Sequence, residues 1–379
     1  MHPPGGLSDI ASRDRLPSLT GLRFWAALLV VLYHLDHQIG AVTGVHWLVE
    51  YGRTGVTFFV VLSGFVLAWT YLDQPTRLPV FFWRRFARLW PHVAVTGVLS
   101  LLAYQHVGTP VDAWQASTTF TFLQAWQADW ATGANGAAWS LSDEAFFYLL
   151  FPPLLLLAAA RRGRTALWTL VVLAQVVLWL LFATQGWTPW ALDYLPLSRV
   201  VQFAVGVLCG VAMRRGMRAP VDYRLAVAGV VGFHLLLQVW EIAAADVGRG
   251  WGPYSGSQWW SMPFFTLLIM AAAQRDLDGR PTGVTGPVWI RLGHWSYAWY
   301  LIHEVLIRVW RFELPRPEGL GDTLVAWGIL LVLTQAAAAL LYTIVEHPAE
   351  RFLRRVGPRP RDTAGTSTTG RRYPRRTRS

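Results

Sequence analysis

"GLRFWAALLVVLYHLDH", residues 21–37, decides how the rest of the chain is read. Phe24 to Tyr33 is an apolar run, closed by Arg23 at one end and His34 at the other. Taken over residues 21–40 it has the length of a membrane-crossing helix, about 20 mostly apolar residues. Ionisable groups inside such a helix are costly and point to function unless they reach water or a partner. Eleven steps at about 100° return His34 to within about 20° of the direction of Arg23, so both share one face, about 16 Å apart along the axis. Two readings stay open on this pair alone: a snorkelling arginine beside an interhelical histidine, or the two ends of a site.

The whole chain has the same character. It is 54% hydrophobic and only 15% charged, too apolar for an ordinary soluble enzyme of 379 residues. The fold class is therefore all-α, a polytopic membrane helical bundle. Apolar segments separated by polar or Gly/Pro breaks predict about ten transmembrane helices, near 21–40, 54–73, 89–107, 140–160, 165–184, 197–214, 223–244, 259–274, 289–311 and 323–346. Residues 1–20 form a polar N-terminal segment, and no small-residue cleavage site follows the first apolar run, which is read as an uncleaved span. Residues 21–350 form the membrane domain, and residues 351–379 a basic, disordered tail.

The net charge of +11 comes from arginine alone, since the chain has no lysine. Arg77, Arg84, Arg85 and Arg88 form one cluster, Arg161, Arg162 and Arg164 a second, Arg214, Arg215 and Arg218 a third, and Arg351, Arg354 and Arg355 a fourth. With ten spans all four fall on the side that holds both termini, so both termini are expected in the cytoplasm. Topology and anionic lipid account for the charge, with no case for nucleic acid. Cys209, the single cysteine, excludes an intramolecular disulfide and any cysteine-rich metal site.

Polar residues mark five further stretches. In "GVTFFVVLSGFVLAW" the small residues Gly55, Ser63 and Gly64 suit close helix approach. In "FFWRRFARLWPHV", Arg84, Arg85 and Arg88 can share a helical face, either as a topological anchor or as a dock for a polyanion, because guanidinium forks bind phosphate bidentately. The connection at 108–139, rich in Trp and Phe, either packs back onto the bundle or forms an aromatic belt at the membrane interface. "WSLSDEAFFYLLFPP" opens at Trp139 and brings Glu144 to a depth comparable with His34, where a carboxylate can orient an imidazole. "LGHWSYAWYLIHEVLI" contributes His294, Tyr297, Tyr300, His303 and Glu304, of which His303 lies mid-span.

Together "LRFWAALLVVLYH", "FFVVLSGF", "RRFARLWP", "WSLSDEAFFYLLFP" and "LGHWSYAWYLIH", with a terminal "EHPAERF", resemble the acyltransferase-3 family of integral-membrane O-acyltransferases. The resemblance implies a ten-helix bundle that takes an acyl group, acetyl by default, from cytoplasmic acyl-CoA and places it on a hydroxyl of a sugar-containing acceptor. That acceptor is a surface glycan or a glycosylated secondary metabolite, and the setting is the bacterial cytoplasmic membrane. Arg23 and His34 match the family's paired arginine and histidine, Arg85 and Arg88 its basic motif, Glu144 its Trp-to-Glu motif and His303 its late "YLIH" motif. His92 after Pro91 departs from the pattern, where an aromatic is more usual.

The expectation that follows is specific. Arg23, Arg85 and Arg88 hold the phosphates of acyl-CoA, and its long arm climbs a channel along the first helix to bring the thioester to His34. His34, helped by Glu144, is a general base or a transient acyl carrier. His303, Trp139 and Tyr300 complete the substrate-contacting set, and no metal is expected. The alternative from another class is a secondary transporter exporting a sugar or drug-like metabolite, although matched broken helices are not seen.

Overall fold

The computed structural model of the protein describes residues 15–74, 77–131, 133–184, 188–244 and 253–358. Most of both terminal segments expected from the sequence lies outside the described residues. Among them every regular element is helical: α1 Pro17–Gln38, α2 Gly55–Tyr71, α3 Leu78–His106, α4 Trp139–Ala159, α5 Arg161–Ala183, α6 Pro196–Arg214, α7 Tyr223–Ala244, α8 Met262–Leu277, α9 Pro287–Glu313, α10 Leu320–Leu341 and α11 His347–Val356. Prolines open α1, α6 and α9 at their first residue, where the missing N–H has no intrahelical acceptor to lose.

Each of the ten expected segments contains a helix, but among the described residues only eight stretches are long and apolar enough to cross a bilayer. α8 falls short at 16 residues. α9 has 27 residues, yet carries Arg291, His303, Glu304, Arg308 and Arg311, the composition of a helix that serves a polar interior. The largest boundary correction is at α3, which starts at Leu78, not at residue 89. Pro91 lies inside it, because losing one hydrogen bond to the Ala87 carbonyl bends a long helix without ending it. Its 29 residues make a rod about 43 Å long against a hydrocarbon core of about 30 Å, so the turns bearing Arg84, Arg85 and Arg88 extend past the apolar zone.

A second correction concerns the C-terminal boundary. After α10 a π-helical turn, Tyr342–Glu346, leads into α11, so Arg351, Arg354 and Arg355 belong to a helix and not to a disordered tail. Pro348 cannot donate to the carbonyl four residues back, and the widened turn before it accommodates the ring.

Glycines set which helices touch. A Cβ at Gly64 would run into the Phe203 carbonyl and one at Gly206 into that of Val61, so α2 and α6 meet backbone to backbone. In the same way Gly55 lies against the Ala26 carbonyl and Gly293 against that of Thr20, which fixes α1 between α2 and α9. Around this centre pack Phe58, Phe65, Phe147, Phe151 and Phe203, with the Phe147 and Phe203 rings stacked at 5.0 Å. The apolar stretches that contain α2 and α6, His46–Tyr71 and Trp190–Arg214, are mostly buried, whereas α5 and α7 are mostly exposed. The latter two are therefore peripheral helices whose Leu and Val side chains face outward, as lipid contact requires.

The connection between α3 and α4 does pack back onto the bundle. Asp112 caps a short helix, Ala113–Phe120, and the Gln124 amide holds the Ala131 and Asn135 carbonyls. Asn135 then donates to the Leu301 carbonyl at 2.9 Å, bracing α9 beside His303 and Glu304. Trp114 stays largely exposed, so part of the stretch also suits the aromatic belt.

Candidate active site

A cavity of about 300 Å³ opens between α1, α2, α3, α4 and α9. Along α2 it is lined from Val56 to Thr70, a run of about 21 Å at 1.5 Å per residue. α1 contributes only its beginning, through Leu19, Thr20 and Arg23. The channel expected along the first helix thus follows the second, because Gly55 and Gly64 draw α2 tightly against its neighbours and leave its other face free.

Arg23, Arg85 and Arg88 all line this cavity, as does Glu144. None of the three arginines has an ion-pair partner among the described residues. Aromatic rings hold two of them instead: Arg85 lies 5.6 Å from the Tyr148 ring centre and 5.9 Å from that of Tyr71, and Arg88 lies 6.0 Å from that of Tyr297. Ring faces attract guanidinium without using up its N–H donors; apart from one long bond from Arg85 to the Tyr71 hydroxyl at 3.4 Å, this leaves donors for an anion. Arg85 Nε is buried with no hydrogen-bond partner. Behind the cluster, His92 pairs with Glu346 at 2.8 Å and its Nδ1 donates to the Arg88 carbonyl. The residue that breaks the family pattern therefore ties α3 to the turn before α11.

At the other end of α1, His34 meets α9. Its Nδ1 donates to the Val30 carbonyl at 2.8 Å, which leaves Nε2 as the basic nitrogen. Glu304 Oε2 lies 3.8 Å from that Nε2 and accepts from Gln38 at 2.8 Å. His303 donates from its own Nδ1 to the Trp299 carbonyl and turns Nε2 toward His34 Nδ1 at 3.4 Å. One ligand atom from each of His34, His303 and Glu304 lies within 4.8 Å of the others, a spacing a cation could also bridge. His34 keeps a quarter of its side chain exposed, while His303 is fully buried.

The two groups adjoin through Tyr300. It lines the cavity, and its ring lies 5.9 Å from that of His303 and 6.3 Å from that of Phe59. Of the residues singled out in the sequence, Arg23, Arg85, Arg88, Glu144 and Tyr300 thus share one cavity, His303 touches its lining residue Tyr300, and His34 lies against His303. Two are placed otherwise than expected. Glu144 accepts from the Tyr148 hydroxyl among the arginines, and the carboxylate beside His34 is Glu304. The physical reason is that α1 packs directly on α9, through the Gly293–Thr20 contact near its start and the His34–His303 ring contact at 4.9 Å, so His34 faces α9. Trp139 lies outside the cavity, packed edge-on to Tyr194 at 4.7 Å and under Arg199 at 5.7 Å. Sequence reasoning noted Glu304 but gave it no role; its position directly after His303 was the available signal.

The sequence profile of the acyltransferase-3 family, described as an acyltransferase domain, matches residues 16–343. The chain belongs to the acyltransferase-3 family. It is similar to Acyltransferase MdmB of Streptomyces mycarofaciens, with 32% identity over 378 residues, 91% of this chain and 94% of that one. No solved structure matches. This acyltransferase is a multi-pass membrane enzyme, and membership of an enzyme family sets aside the transporter alternative.

Proposed function

We propose that the enzyme transfers an acyl group, acetyl by default, from cytoplasmic acyl-CoA to a hydroxyl of a sugar-containing acceptor, a surface glycan or a glycosylated metabolite. The observation that carries this reading is the set of three arginines, without ion-pair partners among the described residues, on a long cavity whose lining residue Tyr300 adjoins His303, the ring packed against His34. Phosphates of the donor bind Arg23, Arg85 and Arg88, and the narrow pantetheine arm fits the run along α2. The thioester then passes Tyr300 and Phe59 to reach His34. The arginine end faces the cytoplasm of a bacterial plasma membrane, as the arginine clusters at the ends of the helices favour.

At His34 the acceptor hydroxyl attacks the thioester carbonyl while Nε2 takes its proton. The tetrahedral intermediate collapses, the C–S bond breaks, and the thiolate of CoA takes the proton back from the imidazolium. Glu304, 3.8 Å from Nε2, stabilises the imidazolium between the two proton transfers. An acyl group carried on Nε2 would crowd that carboxylate, which favours direct transfer. The Glu144 carboxylate, held by Tyr148, limits the repulsion among the arginines when no donor is bound.

The test is thiol release from acetyl-CoA by purified protein, with and without a glycosylated acceptor. Release that depends on the acceptor supports the reading. An inability to bind CoA at all would refute it.

A further inference from the structure

A second ordered cluster lies beside His34 and outside the arginine cavity. The Tyr33 ring sits 5.0 Å from the His34 ring, edge to face, and 4.2 Å from that of His37. Across the bundle Tyr254 approaches Tyr33, with ring centres 6.5 Å apart and the two hydroxyls hydrogen-bonded. Tyr254 is braced from behind: the Arg53 guanidinium lies 4.5 Å from its ring centre and is paired with Asp193 at 2.6 Å. Arg53 and Asp193 are both buried, and Tyr51, also buried, lies 6.5 Å from Tyr254 and donates to Glu241. The front rank is accessible: Tyr33, His34 and Tyr254 are half-buried and His37 is exposed.

A buried ion pair carries a desolvation cost, and here it is spent on holding an aromatic ring at an accessible edge. Nothing in the donor half of the reaction uses these rings, and none of them lines the arginine cavity. Tyr33 touches His34 directly, and Tyr254 and His37 pack on Tyr33, so an accessible group of rings stands next to the quarter-exposed His34, where a second substrate must come.

We propose that Tyr33, His37 and Tyr254, with Arg53 and Asp193 behind them, form the acceptor shelf, and that the group seated there is a sugar ring. The inference rests on the acyl-transfer reading above. The C–H face of a sugar packs on aromatic rings, and its hydroxyls bond to the polar edges those rings carry. The Tyr33 hydroxyl, the His37 imidazole and the Gln38 amide, within about one turn of His34, and Tyr254 and Glu304 from other helices supply such edges. Donor and acceptor thereby reach His34 from different sides, and neither need leave for the other to bind.

The experiment uses purified full-length protein, acetyl-CoA as donor and methyl glucoside as the probe acceptor, with CoA binding measured in parallel. Tyr33→Ala and Tyr254→Ala should raise KM for methyl glucoside about tenfold and leave CoA binding within about twofold. If either alanine variant loses CoA binding through misfolding, Tyr254→Phe, which keeps the ring and loses the hydroxyl bond, carries the test with a smaller rise. An unchanged acceptor KM in variants that bind CoA would overturn the shelf. CoA binding by the wild type with no response to methyl glucoside would overturn the sugar as its ligand. Failure of the wild type to bind CoA would instead refute the acyl-transfer reading.

Discussion

Replacing Glu304 by glutamine removes a charge and keeps the shape. Gln38 can still donate to the amide oxygen that replaces Oε2, so α9 should keep its place. Besides a pairing with Arg308 at 3.9 Å, what is lost is the interaction between the carboxylate and the imidazolium that forms at His34 Nε2, 3.8 Å away. Coulomb attraction over that distance is about 4 kcal/mol at an effective dielectric of about 20, and about 1 kcal/mol if water screens it fully. Each 1.36 kcal/mol is about tenfold in rate, so kcat should fall between about sixfold and about a thousandfold. The interaction belongs to the charged state along the reaction, so KM for acetyl-CoA should stay within about twofold. Initial rates of thiol release at saturating acceptor measure both. Glu144→Gln is the matched control: it should change the donor KM more than kcat, because Glu144 lies among the arginines. If Glu304→Gln leaves kcat within twofold while Glu144→Gln abolishes it, His34 is served by the wrong carboxylate in this account.

Other consequences can be checked with the same preparation. Arg85→Ala combined with Arg88→Ala should weaken CoA binding by at least about tenfold, read by calorimetry, since two charge-assisted contacts to phosphate are lost; unchanged binding would make them topological anchors. Gly206→Val should cost well over about 1–3 kcal/mol, because a side chain there meets the Val61 carbonyl and helices cannot yield as a flexible side chain can; a wild-type melting profile in detergent would contradict the packing. Treatment with a chelator should leave turnover unchanged. Loss of activity restored by zinc would reassign His34, His303 and Glu304 as a metal site.

The positions of the helices were legible because apolar runs of membrane length end in Pro, Gly or arginine. The start of α3 was not, since a turn rich in arginine has the composition of a loop. Arg23, Arg85 and Arg88 were legible as a group because spacing along a helix fixes both depth and face. Which faces meet is a different matter. Glu144 and Glu304 both lie on helices close to α1's partners, and nothing local says which one His34 reaches. The direct packing of α1 on α9 decides it, through the Gly293–Thr20 contact and the His34–His303 ring contact. The shelf beside His34 was invisible for the same reason: Tyr33 and Tyr254 are 221 positions apart and meet only in the folded bundle.

The measurement closest to the central claim is acetyl-CoA binding and turnover in purified His34→Ala. The substitution lies outside the arginine cavity, so donor binding should stay within about twofold of the wild type while acceptor-dependent thiol release falls about a thousandfold or more. Turnover near the wild-type rate with donor binding intact would contradict the account.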